Sequence, residues 1–108
     1  MRREERLWLH GRAVFELVDR IGGVRVSEAV LPPNGDTPNH THSEAHVIVI
    51  REGSIILSKA PSKDNKPLSE IRLKGEFLVI QSEELHGLKA GNMGAKFLQI
   101  DVPPLPVS

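Results

Sequence analysis

The sequence predicts a single all-β domain of the sandwich or closed-barrel type, and three observations point there. Short runs rich in Val, Ile, Leu and Phe alternate with Gly, Pro, Asn and Asp along most of the chain, the pattern of strands joined by turns. Long stretches with apolar residues at a 3.6-residue period, the mark of amphipathic helices, are missing. Seven or eight short strands at this spacing are the material of sandwiches and barrels.

Taken in order, Arg3 to Leu9 reads as either a helical turn or an edge strand, because its periodicity fits both. Val14 to Val18 is a strand, Gly22-Gly23 a turn, and Val24 to Leu31 a strand ended by Pro32-Pro33. The segment Pro33 to Asn39 is dense in turn formers and delivers the chain to a group of histidines. His46 to Arg51 and Ser54 to Ala60 read as two strands separated by a turn at Glu52-Gly53. Pro61 to Pro67 is wholly polar between its prolines and reads as an exposed hairpin tip. Leu68 to Leu73 returns, Lys74-Gly75 turns, and Phe77 to Ile80 is the next strand. His86 stands in a loop or at a strand start, and Ala95 to Val102 is the last strand before the stiff, proline-rich tail at 103–106. No repeat or linker divides the chain, so residues 1–108 read as one domain.

Composition excludes several classes of partner. Fourteen basic and fourteen acidic residues balance, so no net field draws the chain to nucleic acid or to an anionic membrane surface. The absence of cysteine removes disulfides and thiolate metal sites, leaving imidazole and carboxylate as the strong ligands. The charged start Met1-Arg2-Arg3-Glu4-Glu5-Arg6 is followed by no apolar run of signal-peptide or membrane length, and the expected compartment is the cytoplasm.

Chemistry concentrates in His40-Thr41-His42-Ser43-Glu44-Ala45-His46, with His86 further along. Positions 40, 42 and 46 share parity, so in extended backbone, rising ~3.3 Å per residue, their imidazoles project to one side. Glu44 shares that parity, and could supply a fifth ligand or hold a histidine tautomer; a solvated glutamate is the plainer expectation. Val47 to Ile50 and Phe77 to Ile80 are apolar at consecutive positions, so both faces of these strands should be covered. A second subunit would supply that cover in a homodimer, and a second sheet of the same chain is the alternative.

These residues resemble the cupin family. Its first motif has a glycine, a His-x-His pair, a glutamate four residues after the second histidine, and a glycine seven further on. His40, His42, His46 and Gly53 fall at those places within 33–53, with His46 where the family has glutamate. In the second motif, 75–90, Gly75 and His86 match. The departures are Gly35, one residue nearer to His40 than the motif specifies, Gln81 at the proline, Glu83 at the second glycine and Ala90 at the terminal asparagine.

The resemblance implies a small jelly-roll β-barrel with one divalent transition metal ion (Mn, Fe, Cu, Ni or Zn) held by His40, His42, His46 and His86. Four neutral ligands would leave the ion's charge uncompensated, which favours a small anionic ligand, and octahedral coordination would leave two positions open. The reading that follows is a metal-dependent oxygenase or dioxygenase acting on a small enolizable or phenolic molecule. A non-catalytic small-molecule or metal-binding module is the alternative, and a sugar isomerase or epimerase is a weaker one because it needs a positioned acid and base. Candidate acid–base groups are Glu44, Glu83 and Glu84; for the last two, solvated surface charge is the plainer expectation. His10 has no partner at ligand spacing and reads as an ordinary strand-end histidine, while Trp8, Phe15, Phe77 and Phe97 read as core.

Overall fold

A computed structural model describes residues 6–59 and 68–104; the expected hairpin tip at 61–67 and the second half of the proline-rich tail lie outside them. Among the described residues are seven strands: β1 (Leu7–His10), β2 (Ala13–Ile21), β3 (Val24–Leu31), β4 (Ala45–Lys59), β5 (Leu68–Leu73), β6 (Phe77–Ile80) and β7 (His86–Val102). All pairings between them are antiparallel, in the order β1-β2-β3-β7-β4-β5, with β6 also on β4. The all-β jelly-roll expectation holds, and β1 shows an edge strand for the described part of the ambiguous N-terminal segment, residues 3–5 of which lie outside the described residues. No helix here is long and apolar enough to cross a membrane.

Two expected breaks are not breaks. The supposed turn at Glu52-Gly53 lies within β4, and β7 runs from His86 through Gly91 and Gly94 to Val102. Both strands bend together, their ladder slipping register between Ile50 and Glu52 and again between Gly53 and Ile55. The bend depends on glycine. Gly53 and Gly94 have φ of 75° and 78°, a region that L-residues disfavour, and a Cβ on Gly53 would stand 2.0 Å from the Gly94 carbonyl oxygen. Turn formers thus signal a corner through which the ladder continues. One half of the long β4–β7 pair carries β3 and β6; the other carries β5.

The segment between β3 and β4 lies alongside the near half of β7. Ala90 N donates to Gly35 O (2.8 Å), Thr37 N to Leu88 O (2.8 Å), and His40 and His86 exchange both backbone bonds, at 2.9 and 3.1 Å. The β1–β2 turn closes on the same segment, Arg12 N donating to Asp36 O at 3.1 Å.

Alternation along the strands sends one set of side chains inward. Leu31, Ile48, Ile50, Ile55, Leu57, Ile80 and Phe97 are the large apolar members of a core that is almost wholly shielded from water. Each contributes roughly 1.5–3 kcal/mol of transfer free energy. Phe15 lies between Trp8, stacked at 5.4 Å, and Phe97, edge-on at 6.1 Å. Phe77 corrects the expectation of four core aromatics: it points outward and is 62% exposed. Nor are both faces of β6 covered by the chain, since Val79 is also exposed while Leu78 and Ile80 are buried.

Candidate metal centre

All five histidines of the chain converge on one cavity of about 230 Å³. Register explains most of it. The His40–His86 bridge places those two residues opposite one another, and Gly87 permits the close approach, because a Cβ there would meet Asn39 Oδ1 at 2.3 Å. His42 is anchored from the other side: Glu83 N donates to His42 O at 2.8 Å, and Ser82 Oγ to Ser43 O at 2.7 Å. Glu83, at the family's glycine position, adopts φ 64°, the left-handed conformation glycine takes readily.

One nitrogen of each of His40, His42 and His86 lies within 4.8 Å of the others. Their Nδ1 atoms stand 2.7 Å from Pro38 O, 2.9 Å from Glu44 O and 2.8 Å from Glu84 O respectively. A carbonyl oxygen only accepts, so each Nδ1 carries the hydrogen and each neutral ring has its lone pair on Nε2. The Nε2 atoms of His42 and His86 then face each other at 3.1 Å. Two lone pairs at that distance repel, and a cation between them removes the conflict. Zinc–imidazole bonds of ~2.0–2.1 Å suit such a separation, so the donor set fits a divalent transition ion.

Burial favours the neutral, ligating form. Desolvation pushes His86 down to about 4, outweighing the Glu84 carbonyl that opposes it, and the neighbouring His40, His42 and His46 lower it further. Desolvation lowers His42 as well.

His46 lines the same cavity but falls outside the three-nitrogen cluster. Its ring packs edge-on against His42 at 3.8 Å and lies 6.2 Å from His86, while its Nδ1 lies 2.5 Å from Asp101 Oδ1. Glu44 lines the cavity; Glu83 and Glu84 are not among its lining residues. Glu84 instead pairs with Lys59 at 3.5 Å.

Spacing does not reveal two further cavity residues, His10 and Arg25, or Asp101, the buried partner of Arg25 and His46. His10 Nε2 approaches His40 Nδ1 at 3.2 Å, their rings edge-on at 4.2 Å, and desolvation lowers its pKa. It arrives through the β1–β2 hairpin, and its position in the sequence carries no sign of this. Arg25 lies over Trp8 at 4.8 Å and binds Asp101, whose carboxylate has no exposed surface. For these two a signal was present: Arg25 shares inward parity with Ala29 and Leu31, and Asp101 with Ala95 and Phe97.

No family sequence model and no curated protein sequence matches the chain. Solved structures share its architecture. Bacillus subtilis oxalate decarboxylase superposes on 90% of this chain with a TM-score of 0.77 at 18% identity. The match covers 27% of that protein, so this chain spans about a quarter of its length; that enzyme has Mn(II) centres. The Schizosaccharomyces pombe Cnp3 cupin domain matches 91% of this chain and 68% of its own, with a TM-score of 0.76 and 10% identity. An RmlC-like cupin from Shewanella frigidimarina matches 89% and 80%, at 0.74 and 11%. The chain has the cupin fold.

Proposed function

We propose that the chain is a metal-dependent enzyme of the oxygenase type, in which His40, His42, His46 and His86 hold one divalent transition ion beside a cavity for a small anionic, enolizable or phenolic molecule. The observation that carries this reading is the meeting of the His42 and His86 Nε2 lone pairs at 3.1 Å with both Nδ1 atoms committed to carbonyls. A bound ion would supply Lewis acidity and, if it is iron, manganese or copper, electron exchange with dioxygen.

The chain's own residues do the rest. Trp8, Phe15, Ile80 and Leu88 give the cavity apolar walls that favour a compact, partly apolar ligand and limit water. The neutral imidazoles leave a dication's charge uncompensated and so favour an anion. Arg25 and Gln99 add hydrogen-bond donors on the same wall.

One observation favours a binding module instead: among the described residues Glu44 is the only carboxylate lining the cavity, which leaves little for a reaction that needs both a positioned acid and a base. Elemental analysis of protein purified without added metal is the first test, with about one ion per chain expected and none after replacing both His42 and His86 by Ala. Full occupancy in that double variant would overturn the metal reading. Dioxygen uptake with phenolic and diketone compounds on the iron, manganese and copper forms then separates enzyme from module.

The proposal includes a homodimer. On the outer face, the register aligns Val26, Ile100, Val47 and Val79 across four strands, with Leu98, Val49 and Phe77 in the adjacent row. A continuous apolar surface of this kind is a characteristic contact face.

A further inference from the structure

Three strands bring Arg25, Asp101 and His46 into one row on the inner face: Arg25 is the register partner of Asp101 across β3 and β7, and Asp101 of His46 across β7 and β4. We propose that Asp101 is a positioning residue, a buried carboxylate that fixes the His46 proton on Nδ1 and so turns the Nε2 lone pair toward the cavity beside His40, His42 and His86. The inference rests on the four-histidine metal reading and adds a residue outside both sequence motifs.

The need for such a residue follows from where His46 sits. The other three imidazoles belong to irregular segments or a strand end, where the carbonyls of Pro38, Glu44 and Glu84 take their Nδ1 hydrogens. His46 lies within β4, laddered to Ile80 of β6 and to Asp101 of β7. With ladder partners on both sides its backbone neighbours are engaged in the sheet, and among the described residues Asp101 is the side chain that reaches its Nδ1. Asp101 Oδ1 lies 2.5 Å from His46 Nδ1, at an angle short of a well-formed hydrogen bond, so that the buried Nδ1 has no other partner among the described residues; a nitrogen lone pair that close to a carboxylate oxygen would be repelled, which favours the hydrogen on Nδ1.

The carboxylate is itself held still and charged. Arg25 donates to Oδ2 from Nε at 2.8 Å and approaches it with Nη2 at 2.6 Å, while Gln99 Nε2 donates to Oδ1 at 3.0 Å. A purely structural ion pair between Asp101 and Arg25 would need no contact with His46.

The test uses metal-free, ¹⁵N-labelled full-length protein, in which long-range ¹H–¹⁵N spectra report the protonated nitrogen of each imidazole. The proposal expects Nδ1–H at His46. Asp101→Asn alone would strand the Arg25 guanidinium, so the variant to compare is Asp101→Asn with Arg25→Met, which retains charge balance. There, a mixed His46 tautomer is expected, and cobalt(II) affinity, read from its visible absorption, should fall about 10–100-fold with stoichiometry preserved. An Nε2–H tautomer in the unaltered protein would overturn the proposal, as would a folded double variant that binds cobalt(II) as tightly as the parent. Should the double variant not fold, the parent spectrum still decides. If the parent binds no cobalt(II), the metal reading fails, while the tautomer comparison judges Asp101 separately.

Discussion

The two halves of the β4–β7 pair use the same ladder for opposite ends. Past the corner at Gly53 and Gly94, the inward residues Ile55, Leu57, Leu88 and Ala90 are buried and apolar, and the row turns polar only at its last pair, Lys59 and His86. At the far end of the other half, the inward positions are His46 and Asp101, with Arg25 beyond them on β3; Ser27, Gln99 and Ile48 form the next row, and Ala29, Phe97 and Ile50 the row after that. Polarity is graded along one sheet, from a charged row to a wholly apolar one within four residues. An apolar row stabilises by burial whatever its detailed chemistry, whereas a buried charged row is tolerated only if each member is paired. The histidine end should therefore contribute function at little gain in stability, and the apolar end the reverse.

The sharpest way to break this contrast is to remove Phe97, which packs edge-on against Phe15. Phe97→Ala should cost about 3–5 kcal/mol of stability while the folded fraction keeps its metal. The His42→Ala, His86→Ala double variant should lose metal, yet its metal-free form should be at least as stable as the metal-free parent, since it no longer opposes two lone pairs. Denaturant unfolding of both variants, with and without metal, checks the pair. Loss of several kcal/mol in the metal-free histidine variant would dissolve the distinction.

Acid should separate the two ends next. His86 takes up a proton near 4 in the folded chain and near 6.5 when unfolded. Between those values the unfolded state binds the extra proton, so the contribution is complete above about 6.5 and is lost as pH falls toward 4. It amounts to something on the order of 3 kcal/mol. The metal-free protein should lose stability over that window, and His86→Gln should flatten the slope. By the same depression, proton competition for any metal at His42 and His86 should begin below the ordinary imidazole range.

The smallest effect belongs to the outer face. Val79→Glu should change the stability of the subunit by no more than about 0.5 kcal/mol, as an exposed substitution does, but prevent association. Light scattering from micromolar to near-millimolar concentration should show a dimer for the parent and a monomer for the variant. A monomeric parent would mean that the exposed face has no partner copy.

Legibility follows the range of the interaction that sets each feature. Strands β3, β5 and β6 begin and end where their alternation and turn residues place them, because those signals are local. The corner at Gly53 reads as a turn: glycine announces a bend, but whether the ladder survives it depends on a partner about forty residues away. His40, His42 and His86 were found through their spacing. Asp101 was overlooked although its parity with Phe97 marks it as a charge facing inward. Its function depends on His46, which only register brings beside it. His10 was read as ordinary because hairpin geometry alone carries it to His40.

The backbone bridge between His40 and His86 bears on the order of assembly. The two residues are far apart in sequence, so closing that loop has an entropic cost that must be met by strand pairing before either imidazole has a neighbour. In the unfolded chain only His40, His42 and His46 are near one another, and they make a poor chelate until β4 and β7 have paired. An ion cannot act as the nucleus around which this chain folds. A bound ion would arrive at a finished cleft, and its effect on lifetime should appear in the rate of unfolding, with the rate of folding left nearly unchanged.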